Sequence, residues 1–89
     1  MTRLRLRLER LEWLESDGDV LALDRDDVVY LGTNATGALL WRLLAAGTTR
    51  AALIDDLRST FSVGREQATS DVDAFLSQLS QRGLLEEEE

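Results

Sequence analysis

Polar and apolar residues alternate strictly along Arg3-Leu4-Arg5-Leu6-Arg7-Leu8, the period-two pattern of a half-buried strand. Leu8, Leu11 and Leu14 then recur at intervals that also continue a helical stripe, so the pattern leaves the end of this element open. Ser16-Asp17-Gly18-Asp19 predicts a turn, because Asp-Gly tolerates the positive φ of tight hairpins. Residues 20–24 predict a second strand and Arg25-Asp26-Asp27 a second turn. Val28-Val29-Tyr30-Leu31, rich in β-branched and aromatic residues, predicts a third strand. Three strands with short turns imply an antiparallel meander.

Beyond residue 33 the period becomes helical. Asn34 is a suitable N-cap, since its side-chain oxygen can accept from the free amides of a first turn. Leu39, Leu40, Leu43 and Leu44 follow at helical spacing, and Gly47 is the expected stop. Thr48 or Thr49 would cap a second helix with Ala52, Leu53, Leu57 and Phe61 on its apolar face, broken by Ser62-Val63-Gly64. A third helix, starting at Arg65 or at Ser70 and running to Arg82, places Val72, Phe75, Leu76 and Leu79 on one face. Gly83 ends it before Leu84 and Leu85. The predicted fold is α+β: a winged helix-turn-helix with a three-stranded antiparallel sheet followed by three helices.

At 89 residues the chain suits one core rather than two. With no proline, linker or repeat, residues 1–85 read as a single domain. Residues 86–89, all glutamate, read as a frayed, solvated acidic tail. The net charge is −7, and all ten basic residues are arginine. Arg3, Arg5, Arg7 and Arg10 make the start basic, whereas residues 12–27 hold seven acids against Arg25 alone. An acidic chain repels phosphate backbones, which disfavours nucleic acid as a partner. No apolar run approaches the ~18–20 residues that cross a membrane, and no signal-peptide core is present. The expectation is a soluble cytoplasmic module that uses neither membrane nor nucleic acid.

Histidine and cysteine are absent. The commonest general base, thiolate nucleophiles, disulfides and Cys or His metal sites are thereby excluded. The carboxylate pairs Asp55-Asp56 and Asp71/Asp73 suit a solvated helix face or a favourable helix-dipole position better than acid–base or metal chemistry. Gly32-Thr33-Asn34-Ala35-Thr36-Gly37 lacks the spacing and lysine of a phosphate loop. We therefore expect no catalysis, no metal and no cofactor. A DNA-recognition helix should carry basic or amide side chains toward the groove. The third helix offers Arg65 and Arg82 at its ends against Glu66, Asp71 and Asp73.

The informative segment is the third strand. Arginines defend the first strand as an edge, but Val28, Val29, Tyr30 and Leu31 form an undefended apolar run at the other edge of a meander. Such an edge accepts an extended peptide as a further strand, its backbone giving affinity and its alternate side chains specificity. If the third helix flanks this edge, Phe75 and Leu79 floor a groove. In the competing reading Val29 and Leu31 face the core and a helix covers the edge. The pattern does not choose between them.

Tyr30, then Asn34-Ala35-Thr36-Gly37-Ala38-Leu39-Leu40-Trp41, Thr48-Thr49, Asp71-Val72-Asp73-Ala74-Phe75-Leu76, Leu79 and Arg82-Gly83-Leu84-Leu85 together resemble the PqqD-like family of RiPP recognition elements. The resemblance spans residues 17–85. Thr33-Asn34 departs from the Leu-Asn usual in the family before the first helix. The short, unfused chain is most similar to the discrete leader-binding proteins of lasso-peptide pathways. The resemblance implies a non-catalytic adaptor that takes the leader of a ribosomally made precursor peptide as an added strand against the third helix. It would then deliver the precursor to a transglutaminase-like leader peptidase and a cyclase. Residue by residue, Val28, Val29, Tyr30 and Leu31 would supply the strand edge, and Asp71, Ala74, Phe75, Gln78 and Leu79 the helix wall. Which flank of that helix faces the groove is left open. Trp41, Leu53, Leu57, Val72 and Leu76 are assigned to the core, and Trp13 to neither place. Two other functions remain: a peptide chaperone in pyrroloquinoline quinone biosynthesis, as the family's founding members are, and a DNA-binding winged-helix regulator.

Overall fold

The described residues form five strands in two sheets and three helices, where the sequence predicted three strands in one sheet. The structure is a computed structural model and describes residues 2–16, 19–24, 29–32 and 35–88. The alternating segment is strand β1 (Arg3–Leu6), but it does not belong to the meander. A short 3-10 turn (Leu8–Arg10) follows it, and β2 (Leu11–Ser16), β3 (Asp19–Asp24) and β4 (Val29–Gly32) form a three-stranded antiparallel sheet in that order. Thus Leu11 and Leu14, ambiguous between helix and strand, lie in β2. The predicted turn residues Asp17, Gly18, Arg25, Asp26 and Asp27 lie outside the described residues, as does Val28. The register Ser16↔Asp19 shows that two residues connect β2 to β3.

The expected frayed tail is instead strand β5 (Leu85–Glu88), antiparallel to β1 with Arg3↔Glu88, Leu4↔Glu87, Arg5↔Glu86 and Leu6↔Leu85 in register. The physical reason lies in the side chains that this register brings together. Arg5 reaches Glu86 at 2.9 Å and Glu88 at 2.8 Å, and Arg7 lies 3.7 Å from Glu86. The opposite face turns Leu4 and Leu6 into the core. Exposed ion pairs contribute little stability; here they choose the register, while the leucines supply apolar burial.

Helix α1 (Ala35–Ala46) buries Ala38, Leu40, Trp41 and Leu44 and packs on β1 and β3. Its N-cap candidate Asn34 lies outside the described residues. Gly47 ends it at φ +95°, a backbone conformation that costs glycine nothing. The Thr48 N–H donates to the Leu4 carbonyl (2.8 Å) and the Leu4 N–H to the Thr48 carbonyl (2.7 Å). Helix α2 (Arg50–Phe61) starts at Thr49, whose side-chain oxygen accepts from the Ala52 N–H at 3.2 Å. Leu53, Ile54 and Leu57 are its buried residues, whereas Phe61, expected on the apolar face, is exposed at the last position.

Helix α3 (Arg65–Gln81) starts at the earlier of the two predicted positions and buries Ala68, Val72 and Leu79. It ends in a Schellman arrangement around Gly83 at φ +70°. There the Gly83 N–H donates to Ser80 (3.0 Å) and the Leu84 N–H to Leu79 (2.9 Å). Leu84 and Leu79 are both core residues, so the turn launches β5 with its apolar anchor already seated.

Candidate functional site

The three-stranded sheet ends at β4, whose hydrogen-bonded neighbour is β3 alone among the described residues. Val29, Tyr30 and Leu31 register with Asp24, Leu23 and Ala22 of β3. Residues 85–88 of the C-terminal segment pair with β1 and not with β4. The inner layer of the sheet meets α1. Ala22 and Val20 are buried there, and Trp13 of β2 packs edge-to-face on Trp41 with centroids 5.9 Å apart and planes at 72°. Trp13, unassigned from sequence, therefore joins sheet to helix.

The proposed wall residues divide according to their angular position on α3. With 3.6 residues per turn, Asp71, Ala74, Phe75 and Gln78 fall on one flank, and Asp73, Leu76, Ser77 and Ser80 on the other. Ala68, Val72 and Leu79 lie between them, in the core. The second flank faces the β1–β5 sheet. It borders a cleft shared with Leu4, Arg50, Leu85 and Glu87, and Arg50 holds Asp73 through two bonds of 2.7 and 2.9 Å. The first flank has Phe75 half-buried, Asp71 half-buried and Ala74 and Gln78 exposed. Phe75 packs against the core, so its ring is supported from behind and partly open in front. Leu79, placed in the wall from sequence, is 4 % exposed and belongs beneath any such surface. Of the residues assigned to the core, Trp41, Leu53, Leu57 and Val72 are buried, while Leu76 is half-buried.

The carboxylates are in structural use or solvated. Gln67 donates to Asp71 at 2.8 Å, one turn away on α3. Asp73 is held by Arg50, whose hydrogen bond lowers its carboxyl below the ordinary value while slight burial opposes this. Asp55 and Asp56 are exposed. Among the described residues no group of three or more His, Cys, Asp or Glu side chains could hold a metal ion. No described helix is long and apolar enough to cross a membrane.

Two features escaped the sequence reading. Leu14 and Leu21 are register partners on β2 and β3, yet 56 % and 46 % exposed, which gives the outer face of the sheet an apolar spot. The β1–β5 pairing was also missed, although arginines near one terminus and glutamates at the other were a legible signal of it.

Comparison with known proteins places this geometry. Curated protein sequences provide no match. Two solved structures overlay nearly the whole chain. One, described as "TbiB1 in Complex with the TbiA(beta) Leader Peptide", has a TM-score of 0.83 and 27 % identity, covering 92 % of this chain and 94 % of that one. The other, "Lasso peptide synthetase B1 complexed with the leader peptide", has a TM-score of 0.79 and 28 % identity, covering 93 % and 96 %. The family described as "Coenzyme PQQ synthesis protein D (PqqD)" matches residues 19–85, from β3 through the first residue of β5. With most of its length matched in this way, the chain belongs to the PqqD family, as a PqqD-like RiPP recognition element.

Proposed function

We propose that the protein is a non-catalytic, cytoplasmic adaptor that captures the leader segment of a ribosomally synthesised precursor, a lasso-peptide precursor, as a strand added to β4. The observation that carries this reading is the far edge of β4, which has no strand partner among the described residues, in a fold that overlays two leader-peptide complexes. A strand added there satisfies alternate backbone groups of β4 and lays alternate side chains against neighbouring surfaces. Val28, Val29, Tyr30 and Leu31 supply the edge. Asp71, Ala74, Phe75 and Gln78 supply the wall, with Leu79 as backing. The flank of α3 that carries them is the one opposite the β1–β5 cleft. The captured precursor is handed to a transglutaminase-like leader peptidase and then to a cyclase. We read the helices as a winged helix-turn-helix turned to peptide rather than DNA, since α3 carries Glu66, Asp71 and Asp73 between its terminal arginines.

The test is amide hydrogen exchange on the full chain with the leader segment of the precursor encoded beside its gene. Alternate amides within Val29–Gly32 are expected to gain protection when the leader binds. Binding with no change in those amides overturns the reading. The description of the family, which concerns coenzyme PQQ synthesis, favours a second reading: peptide chaperoning in that pathway. Under it, the same β4 amides would respond to the quinone precursor peptide and not to the lasso leader.

A further inference from the structure

A second strand edge without a strand partner among the described residues lies along β5, on the other flank of α3. Leu4 turns both its N–H and its carbonyl to Thr48, and in an antiparallel pair both groups of one residue point to the same side. Arg3 and Arg5, in register with Glu88 and Glu86, therefore make the bonds to β5. The Arg7 N–H, which donates to the Leu84 carbonyl at 2.8 Å, continues the alternation. Leu85 and Glu87 consequently turn their N–H and carbonyl groups away from β1. Among the described residues β5 has no second strand neighbour.

Beside this edge lies a cleft of about 410 Å³ between the inner face of β1–β5 and α3, with Leu4, Leu76 and Leu85 as apolar lining and Ser77 and Ser80 on the helix side. Glu87 also borders it, and its carboxylate makes no ion pair among the described residues. Strand edge, helix flank and cleft thus repeat on this flank of α3 the elements that strand addition uses.

We propose that the outer edge of β5, with this cleft, is a second strand-addition site, and that its occupant is a basic extended segment of a partner protein. The charge pattern selects that occupant. Side chains of an added strand would stand beside Glu86 and Glu88 on one face and beside Glu87 on the other, so arginine or lysine meets a carboxylate on either face. A second copy of this chain paired through β5 would set glutamates against glutamates, which is destabilising. The edge therefore rejects its own kind and admits a strand of opposite charge.

The experiment is an NMR titration of the uniformly ¹⁵N-labelled full chain with two N-acetylated octapeptides, alternating Arg-Val and alternating Glu-Val. The basic peptide is expected to shift and protect the Leu85 and Glu87 amides while leaving Val29–Gly32 unperturbed. Glu87→Gln, at an exposed position, is expected to weaken it about two- to fivefold, the range of one exposed ion pair, and added salt weakens it further. Unshifted β5 amides overturn the proposal, and so does equal binding of the acidic peptide, or self-association of the chain through β5 without any peptide. The leader reading is judged on the β4 amides, so the two can fail separately.

Discussion

Arg50 at the start of α2 and Asp73 in the middle of α3 form a two-pronged ion pair, Nε to Oδ1 at 2.7 Å and Nη2 to Oδ2 at 2.9 Å. It ties the first residue of α2 to the middle of α3, on the flank of α3 that borders the β1–β5 cleft. The opposite flank carries Phe75, half-buried, and Ala74, exposed.

This pair sets a pH dependence. The hydrogen bond from Arg50, aided by its charge, lowers the Asp73 carboxyl. A depressed carboxyl contributes stability above its unfolded value and loses it as pH falls through the folded one. The contribution should be fully present at neutral pH and disappear progressively below the ordinary value of 3.8. Asp73→Asn should therefore lower the urea midpoint slightly at pH 7 and not at all in strong acid, as comparison of the two proteins across pH will read. Because both groups are exposed, high salt should also shrink the difference.

The division of α3 into two flanks predicts opposite outcomes for two arginine insertions. Ala74→Arg places a long cation on the open flank and should weaken leader binding about tenfold or more, on the scale of an unfavourable contact of ~1.4 kcal/mol. Ser77→Arg, on the flank facing the β1–β5 cleft, should leave leader affinity within about twofold. Calorimetry on both variants decides. Equal losses, or a loss only for Ser77→Arg, would place the groove on the wrong side of the helix.

Thr49 supplies the side-chain cap of α2, accepting from the Ala52 N–H. Thr49→Ala leaves that amide without its partner and should cost about 1 kcal/mol, visible as a lower urea midpoint with an unchanged slope. Leader affinity should not move, since Thr49 belongs to neither flank of α3.

Two glycines should answer in opposite directions. Gly83 sits at φ +70°, where a Cβ meets the following carbonyl, so Gly83→Ala should destabilise by about 1–2 kcal/mol. Gly64 precedes α3 at φ −70° and ψ 162°, with no side-chain cap bond, and a Cβ there meets nothing within 4 Å. Gly64→Ser supplies a capping oxygen and restricts the unfolded chain, so it should stabilise by about 0.5 kcal/mol. Thermal or urea unfolding of the pair checks both signs.

Much of this architecture was legible from local pattern. The stripes through Leu40, Leu44, Leu53, Leu57 and Val72 marked the buried helix faces, because apolar residues at helical spacing have one way to leave water together. Thr49, Gly47 and Gly83 marked helix ends, since caps and positive-φ stops act within a few residues of themselves. The run through Val29, Tyr30 and Leu31 marked strand β4 for the same reason.

Tertiary structure alone decided what depended on distant partners. Arg3-Leu4-Arg5-Leu6 declares a strand but not its neighbour; the neighbour is 81 positions away, where Glu86 meets Arg5. The glutamate run looked like solvated tail because its cations lie at the other end of the chain. Likewise, α3 alone could not say which flank faces a ligand. What the fold adds is the difference between the two flanks: one carries Asp73, paired with Arg50 of α2, and borders the β1–β5 cleft, and the other does not.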